Sequence, residues 1–216
     1  MGNSEIDTLD VLLSGYVSGT LPAPLHIMVD AHLELSPKSR PLVASMDHAA
    51  GDMLREFETS SVSNRDSRLQ AIFDSAPQST DSMLRDAGQQ SKLPRSLRNF
   101  VGYDVDDVPW KSVMPGFKEF DLDDMDGFHV SMFWIKPGRT IPAHTHEGSE
   151  ITLVLDGAFT DERGRFGRGD ISVADDQINH RPTAERGAPC IGFTVNDGPL
   201  RLTGPLHQRL GDILAG

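Results

Sequence analysis

The sequence predicts an α+β multidomain chain, with a small N-terminal helical bundle followed by an all-β barrel. Three observations carry this. Apolar residues recur at spacings of three and four over positions 1–75. From Leu97 onward, short apolar and β-branched runs alternate with Gly, Pro and Asp turns. Between the two, positions 76–96 are rich in Ser, Gln, Asp and Pro and have no period, which reads as a linker with at most a helical turn near Met83. A chain of 216 residues holds one large domain or two small ones. The expected division is 1–75 for the helices, 76–96 for the linker and 97–216 for the β domain.

The first helix is expected over Asp7 to Val17, where Leu9, Leu12, Leu13, Tyr16 and Val17 form one apolar stripe. Gly19, Pro22 and Pro24 break that pattern, and a second helix follows over Ala23 to Leu35, with Pro24 tolerated in its first turn. Ser39 is placed to cap a third helix, in which Leu42, Met46, Ala49, Ala50, Met53 and Phe57 recur at helical period. A short fourth helix is expected over Ser67 to Asp74, carrying Leu69, Ile72 and Phe73. Such a bundle has little core of its own and calls for a partner. In the second half, strands are expected at Phe128 to Ile135, Glu150 to Leu155, Gly157 to Thr160, Asp170 to Val173, Pro189 to Thr194 and Leu200 to Thr203. Asp156-Gly157 and Asn196-Asp197-Gly198 read as turns between them.

Composition removes several function classes. Net charge is −12, with 13 acidic against 8 basic residues before position 96 and 19 against 12 after it, so neither half suits direct nucleic-acid or anionic-membrane binding. Mean hydropathy is −0.33, and no apolar run approaches the ~20 residues that span a bilayer. The first residues lack the basic-then-apolar pattern of a secretory signal. A lone Cys190 excludes an internal disulfide and a Cys-rich zinc module, and these features together predict a cytoplasmic protein.

The chemistry concentrates in Gly138 to Gly157. His144 and His146 alternate on a strand and share a face. Glu150 has the same parity, with Gly148 letting the backbone bend between them. Two imidazoles and a carboxylate on an inner face make half a cage for a borderline divalent ion. His180, reached after a glycine turn, a short strand and an acidic turn, is the candidate fourth ligand.

These residues resemble the cupin superfamily. Gly138, His144, His146, Glu150 and Gly157 match each position of its first motif. Gly169 and His180 keep the separation of the second, where Asp175, Gln177 and Ala184 replace the usual Pro, Gly and Asn. The resemblance covers about residues 97–216 and implies a double-stranded β-helix barrel. It implies one divalent ion on His144, His146, Glu150 and His180, with zinc expected by likeness and iron, manganese or nickel compatible with the ligand set.

Leu9 to Leu21, Val29 to Leu33, Asn99 to Gly102, Gly157 to Asp161, Arg165 to Asp170 and Ala184 to Gly187 look like the ChrR family of anti-sigma factors nearly end to end. That likeness implies a helical domain that sequesters an extracytoplasmic-function sigma factor. It also implies a metal-bound cupin domain needed for release under oxidative stress such as singlet oxygen. In that family the helical domain carries zinc. Here His32 is present, but Ser36 and Ser39 occupy the two cysteine positions and Asp7 an upstream histidine position. Hydroxyls do not replace thiolates on zinc, so no zinc is expected in the N-terminal domain and His32 is expected to be an ordinary helix residue. Acidic Asp30, Glu34 and Asp47 are candidates to meet the sigma factor's basic surface. The rival reading is a metal-dependent cupin dioxygenase or related oxidoreductase with a helical dimerisation arm; no separate acid/base pair is visible by spacing, so a regulator is favoured over an enzyme. The unbound chain is compatible with a homodimer.

Other chemistry-bearing residues receive plainer readings. His129 is expected to be an exposed strand histidine, and His26, His48 and His207 surface residues. Cys190 sits among Ile191 and Phe193 as a buried, inert thiol. The acids of Asp121 to Asp126 read as a solvated turn.

Overall fold

The structure is a computed structural model that describes residues 8–75 and 91–214. Among the described residues, four helices come first: α1 (Thr8–Val17), α2 (Ala23–Leu35), α3 (Arg40–Leu54) and α4 (Arg65–Asp74). A fifth, α5 (Arg95–Val101), leads into the β region and a last one, α6 (Leu206–Leu214), closes it. Between these two lie eleven strands: β1 (Lys111–Met114), β2 (Phe117–Met125), β3 (Phe128–Ile135), β4 (His144–His146), β5 (Glu150–Asp156), β6 (Ala158–Asp161), β7 (Gly164–Gly167), β8 (Ile171–Ala174), β9 (Thr183–Ala184), β10 (Cys190–Asn196) and β11 (Leu200–Leu202). Of the stretch expected to be a linker, residues 76–90, with Met83, lie outside the described residues. Residues 91–96 are packed: Leu93 is buried and α5 begins within them, after Pro94.

Six antiparallel strands form the main sheet, in the order β1-β2-β3-β10-β5-β8. A second layer is built from the pair β11-β4 and the trio β7-β6-β9, joined by single bridges at His144–His180 and Thr140–Thr183. Side chains alternate across the main sheet, and its two faces do different work. Val130, Met132, Leu153, Phe193 and Val195 are buried in one core cluster with Leu13, Met28, Val29 and Leu97 of the helices. Ser131, Thr194, Thr152 and Glu150 are on the opposite face, toward the second layer. The helices thus lack a separate core: α1, α2 and α5 complete theirs on the back of the sheet.

Polar contacts pin that junction. Glu34 of α2 accepts from the free N–H groups of Arg95 and Ser96 at the start of α5 (2.7 and 2.9 Å). Burial raises the Glu34 carboxyl, but these bonds outweigh it and hold its pKa below the ordinary range. Asp126 accepts from Ala23 N (3.0 Å), and Lys92 pairs with Asp156 (3.3 Å). Asp30 bonds the Tyr16 hydroxyl (2.6 Å). Of the three acids expected to face a partner, Asp30 and Glu34 are therefore engaged within the chain, while Asp47 is exposed.

Much of the apolar stripe of α3 turns outward, although Met46 packs against the core. Only Val43 of α3 is buried, and α4 buries nothing. Met53, Leu54, Phe57, Ile72 and Phe73 are exposed, Phe57 at 72% and Phe73 at 76%. Amphipathic period specifies a face but not what covers it. The expected helix also ends at Leu54, leaving Phe57 in the following turn. No helix among the described residues is long and apolar enough to cross a membrane.

Candidate metal centre

His144 and His146 come from β4, which pairs with β11 on one side and bridges His180 on the other through His144 N–His180 O and His180 N–His144 O, both 3.0 Å. Both imidazoles face inward by strand parity. Glu150 opens β5 after the turn at Gly148, where a Cβ would collide with Asp197; that carboxylate in turn accepts from Ser149 N and ties the turn to the β10–β11 loop. Gly157, at φ +66, takes a left-handed conformation hard against the Pro189 carbonyl, where a side chain has no room. The departures in the second motif are absorbed locally. Asp175 Oδ1 accepts from Gln177 N (3.0 Å), and Thr145, pointing away from the imidazoles, donates to the carbonyls of Asp175 and Asp176 (3.2 Å each).

The structure brings His144, His146, Glu150 and His180 together, with one ligand-type atom from each inside a 4.8 Å cluster. His146 Nε2 lies 3.4 Å from His180 Nε2 and 3.4 Å from Glu150 Oε2, and His180 Nε2 lies 4.0 Å from the same oxygen. Donors at ~2.1 Å from a shared cation stand about 3.4 Å apart in a tetrahedron, so the spacing fits one ion. His144 Nδ1–H donates to Pro142 O (2.8 Å), which leaves Nε2 with its lone pair.

The electrostatics favour a cation. Burial, reinforced by His180, pushes the His144 imidazole down to about 3, and the same causes push His146 down to about 4, so both are neutral donors at neutral pH. Burial raises the pKa of the Glu150 carboxyl. Burial therefore penalises the Glu150 charge, and a divalent ion at the cluster would reverse that penalty. Three imidazoles and one carboxylate suit zinc, iron, manganese or nickel.

Sequence reasoning missed the group that orients His180. Asp161 of β6, whose side chain is 0% exposed, lies with Oδ2 3.1 Å from His180 Nδ1 and 2.6 Å from Arg163 Nη2. Arg163 Nη2 also comes within 3.2 Å of His180 Nδ1. Both contacts cannot be hydrogen bonds in one tautomer. The carboxylate only accepts, so Nδ1 keeps the proton and donates to Asp161, and Nε2 is free for the cluster. Burial raises the Asp161 carboxyl, but bonds from His180 and Arg163 outweigh it and hold it well below the carboxylate range. Nothing in local spacing signals this role, because Asp161 meets His180 only across the fold.

The remaining residues sort as follows. His32 is not an ordinary helix residue: it is buried at the helix–sheet junction, with Nδ1 2.7 Å from Gly169 O and Nε2 2.8 Å from Ser39 Oγ. A carbonyl only accepts, so Nδ1 donates to Gly169 and Nε2 accepts from the Ser39 hydroxyl. Burial lowers the pKa of this imidazole. Ser39 accordingly makes no side-chain cap to α3, contrary to expectation, because its hydroxyl is turned to His32. Asp7 lies outside the described residues. His129 is exposed on β3 but clasped by Asp121 (2.9 Å) and Asp124 (3.2 Å), across a bulge that breaks the acidic run. His26 stacks on Tyr16 and pairs with Asp30 (3.9 Å); His48 pairs with Asp52 (3.5 Å) and His207 is exposed. Cys190 is buried, its thiol pushed up by burial to about 12.

Comparison with known proteins adds kinship to this geometry. Residues 99–201 match the ChrR Cupin-like domain family. The chain is 33% identical over 192 residues to the anti-sigma-E factor ChrR of Cereibacter sphaeroides, covering 89% of each protein. It superposes on a chain of the crystal structure of Rhodobacter sphaeroides SigE in complex with the anti-sigma ChrR, with a TM-score of 0.70 and 31% identity over 87% of this chain and 96% of that one. By sequence along nearly its whole length, by the cupin-like β region and by the helices that precede it, this chain belongs to the ChrR family of anti-sigma factors.

Proposed function

We propose that this chain sequesters an extracytoplasmic-function sigma factor with its helices and senses oxidative stress, of the singlet-oxygen kind, through one divalent ion in its cupin domain. The observation that carries sequestration is the uncovered apolar face of α3 and α4. A ten-residue helix that buries nothing is marginal alone, and a cluster of exposed Phe, Met, Leu and Ile marks a protein interface. Helix faces of this kind seat into grooves of helical partners. The net charge of −12 favours a basic partner and opposes contact with DNA, so inhibition is by occupying the sigma factor. The relative's complex with SigE supports the same class of partner.

His144, His146, Glu150 and His180 would hold the ion, with zinc expected. When bound, the ion supplies a crosslink among β4, β5 and the segment ending at His180. The chain's own groups carry its state outward. Asp161, itself held by Arg163, grips His180; Arg163 also donates to Val173 O and to Ser172 Oγ (2.9 Å) on β8. The turn before β8 holds Gly169, whose carbonyl receives His32 of α2, and His32 in turn holds Ser39 at the base of α3. A shift at His180 thus has a contiguous route to the sigma-binding helices. Coupling of about 1–3 kcal/mol is typical of such links. The reading is that of a cytoplasmic regulator, not an enzyme.

The test is co-purification with the extracytoplasmic-function sigma factors of the same genome, with metal analysis of the chain. Capture of one sigma factor and about one equivalent of metal are expected. His144→Ala with His146→Ala should lose the metal, still inhibit transcription, and fail to release under oxidative stress. Failure to capture any such sigma factor would overturn the reading.

A further inference from the structure

Of the four candidate ligands, His180 has the least backbone support. His144 and His146 belong to β4, which is laddered to β11, and Glu150 opens β5 within the main sheet. His180 lies instead between β8 and β9, in a segment joined to β4 by one bridge. A ligand on such a segment keeps its place only if the residues beside it are anchored. Both neighbours of His180 are. Asn179 Oδ1 accepts from the Thr203 hydroxyl. Arg181 pairs with both carboxylate oxygens of Asp212, through Nε–Oδ2 (2.9 Å) and Nη2–Oδ1.

The two anchors belong to one stretch of chain. Thr203 joins β11 to α6, with its N–H on Ala143 O (2.8 Å), beside His144. Asp212 is near the C-terminal end of α6, and Arg139 Nη2 donates to the adjoining Ile213 carbonyl (3.1 Å). The helix is attached in an inverted manner. Its one fully buried residue is the charged Asp212, while Leu206, Leu210 and Leu214 are exposed. Its hold on the barrel is thus mainly ionic. A nine-residue helix is marginal alone, so its docking is a local equilibrium that depends on where Arg181 stands. A paired guanidinium and carboxylate fix both position and angle, and loss of one partner strands the other charge in a buried place. The carboxylate also acts on the buried Arg139, so without it two guanidinium groups lose a shared counter-charge.

We propose that α6 is a C-terminal strap whose Asp212, acting through Arg181, positions His180 for the ion, so that docking of the strap and binding of the metal strengthen one another. Asp212 is a positioning residue, not a ligand. The coupling is reciprocal: if the docked strap raises metal affinity by some factor, metal raises strap docking by the same factor. This rests on the metal reading of the ligand cluster, and its test separates the two.

The experiment uses the full chain without a sigma factor. Zinc affinity is measured by chelator competition, and hydrogen exchange is followed in the metal-free and zinc-loaded chain. Asp212→Ala should weaken zinc about tenfold or more, in the range seen when a supporting partner of a metal ligand is removed. Asp212→Asn, which keeps an acceptor but not the charge, should fall between. In the native chain, zinc should slow exchange of the α6 amides several-fold and leave those of α4 unchanged. In Asp212→Ala the α6 amides should exchange fast with or without zinc. A helix with a merely structural role would not respond to metal in this way, and the exchange measurement on the native chain decides the matter even if Asp212→Ala fails to fold. Zinc binding by Asp212→Ala within twofold of the native chain, or α6 exchange that ignores zinc, overturns this proposal alone. A native chain that takes up no zinc overturns the metal reading and this proposal with it.

Discussion

Replacing Asp161 tests whether the His180 ligand atom is set from behind. In the native chain Asp161 Oδ2 accepts the His180 Nδ1 proton at 3.1 Å and is itself held by Arg163 at 2.6 Å. Asp161→Ala removes that acceptor and leaves Arg163 Nη2, already 3.2 Å from Nδ1, as the nearest group. Arg163 can only donate. Nδ1 must then offer its lone pair, and the proton moves to Nε2, the atom that faces His146 and Glu150. Ligation would require stripping that proton first. Loss of such an outer partner commonly costs 10–100-fold in metal affinity, which is about 1.4–2.7 kcal/mol. Because Arg163 actively favours the wrong tautomer, the upper end is expected. Asp161→Asn should fall between, since its amide oxygen still accepts from Nδ1 while its NH₂ crowds Arg163. The assay is competition for zinc between purified chain and a chromophoric chelator, with circular dichroism to check folding. Asp161→Ala combined with Arg163→Ala should recover part of the loss. An Asp161→Ala chain that binds zinc within twofold of the native protein would refute the tautomer argument.

Three further outcomes follow from the same geometry. Phe57→Asp and Phe73→Asp, at strongly exposed positions, should change stability by no more than about 0.5 kcal/mol while weakening sigma capture by about 2 kcal/mol or more, read by thermal melting and pull-down together. His32→Ala should destabilise the chain by about 2–4 kcal/mol in urea unfolding, because it opens a buried hole and strands the Gly169 carbonyl. Glu34 has a folded pKa below its ordinary value of 4.5, so its contribution is fully present above that pH and is lost as pH falls through the lower folded value. Glu34→Gln should therefore cost about 0.5–1 kcal/mol at neutral pH and flatten the loss of stability below pH ~4.5 in acid titrations of unfolding.

Much of this was legible from spacing alone. The second helix and the strand at 128–135 have the bounds their patterns announce, because Pro22 and Pro24, and the turns at Asp126-Gly127 and Pro137-Gly138, punctuate them. The acids of Asp121 to Asp124, read as a turn, belong to β2. The four candidate ligands were legible because three lie within seven positions on the same parity and the fourth sits behind a recognisable turn. Helix α5 was missed: it is seven residues long, too short for periodicity to speak, and starts just after Pro94 inside a polar stretch. Helix α6 was missed for a similar reason; its Asp212 is buried only because Arg181 reaches it from a distant loop (2.9 Å).

Other features arise only when the chain closes. Period 3.6 told that α3 is amphipathic, but whether Met53 and Phe57 meet a core or a partner depends on where α1, α2 and α5 choose to pack, and they choose the sheet. Asp161 and His32 owe their roles to residues 19 and 137 positions away. The sequence by itself determined the kinds of element, the donor set and the sign of the charge, since those are properties of near neighbours and of composition. The tertiary structure alone decided which nitrogen of His180 carries its proton and which apolar face stays uncovered. Those depend on strand register and burial, which no local pattern encodes.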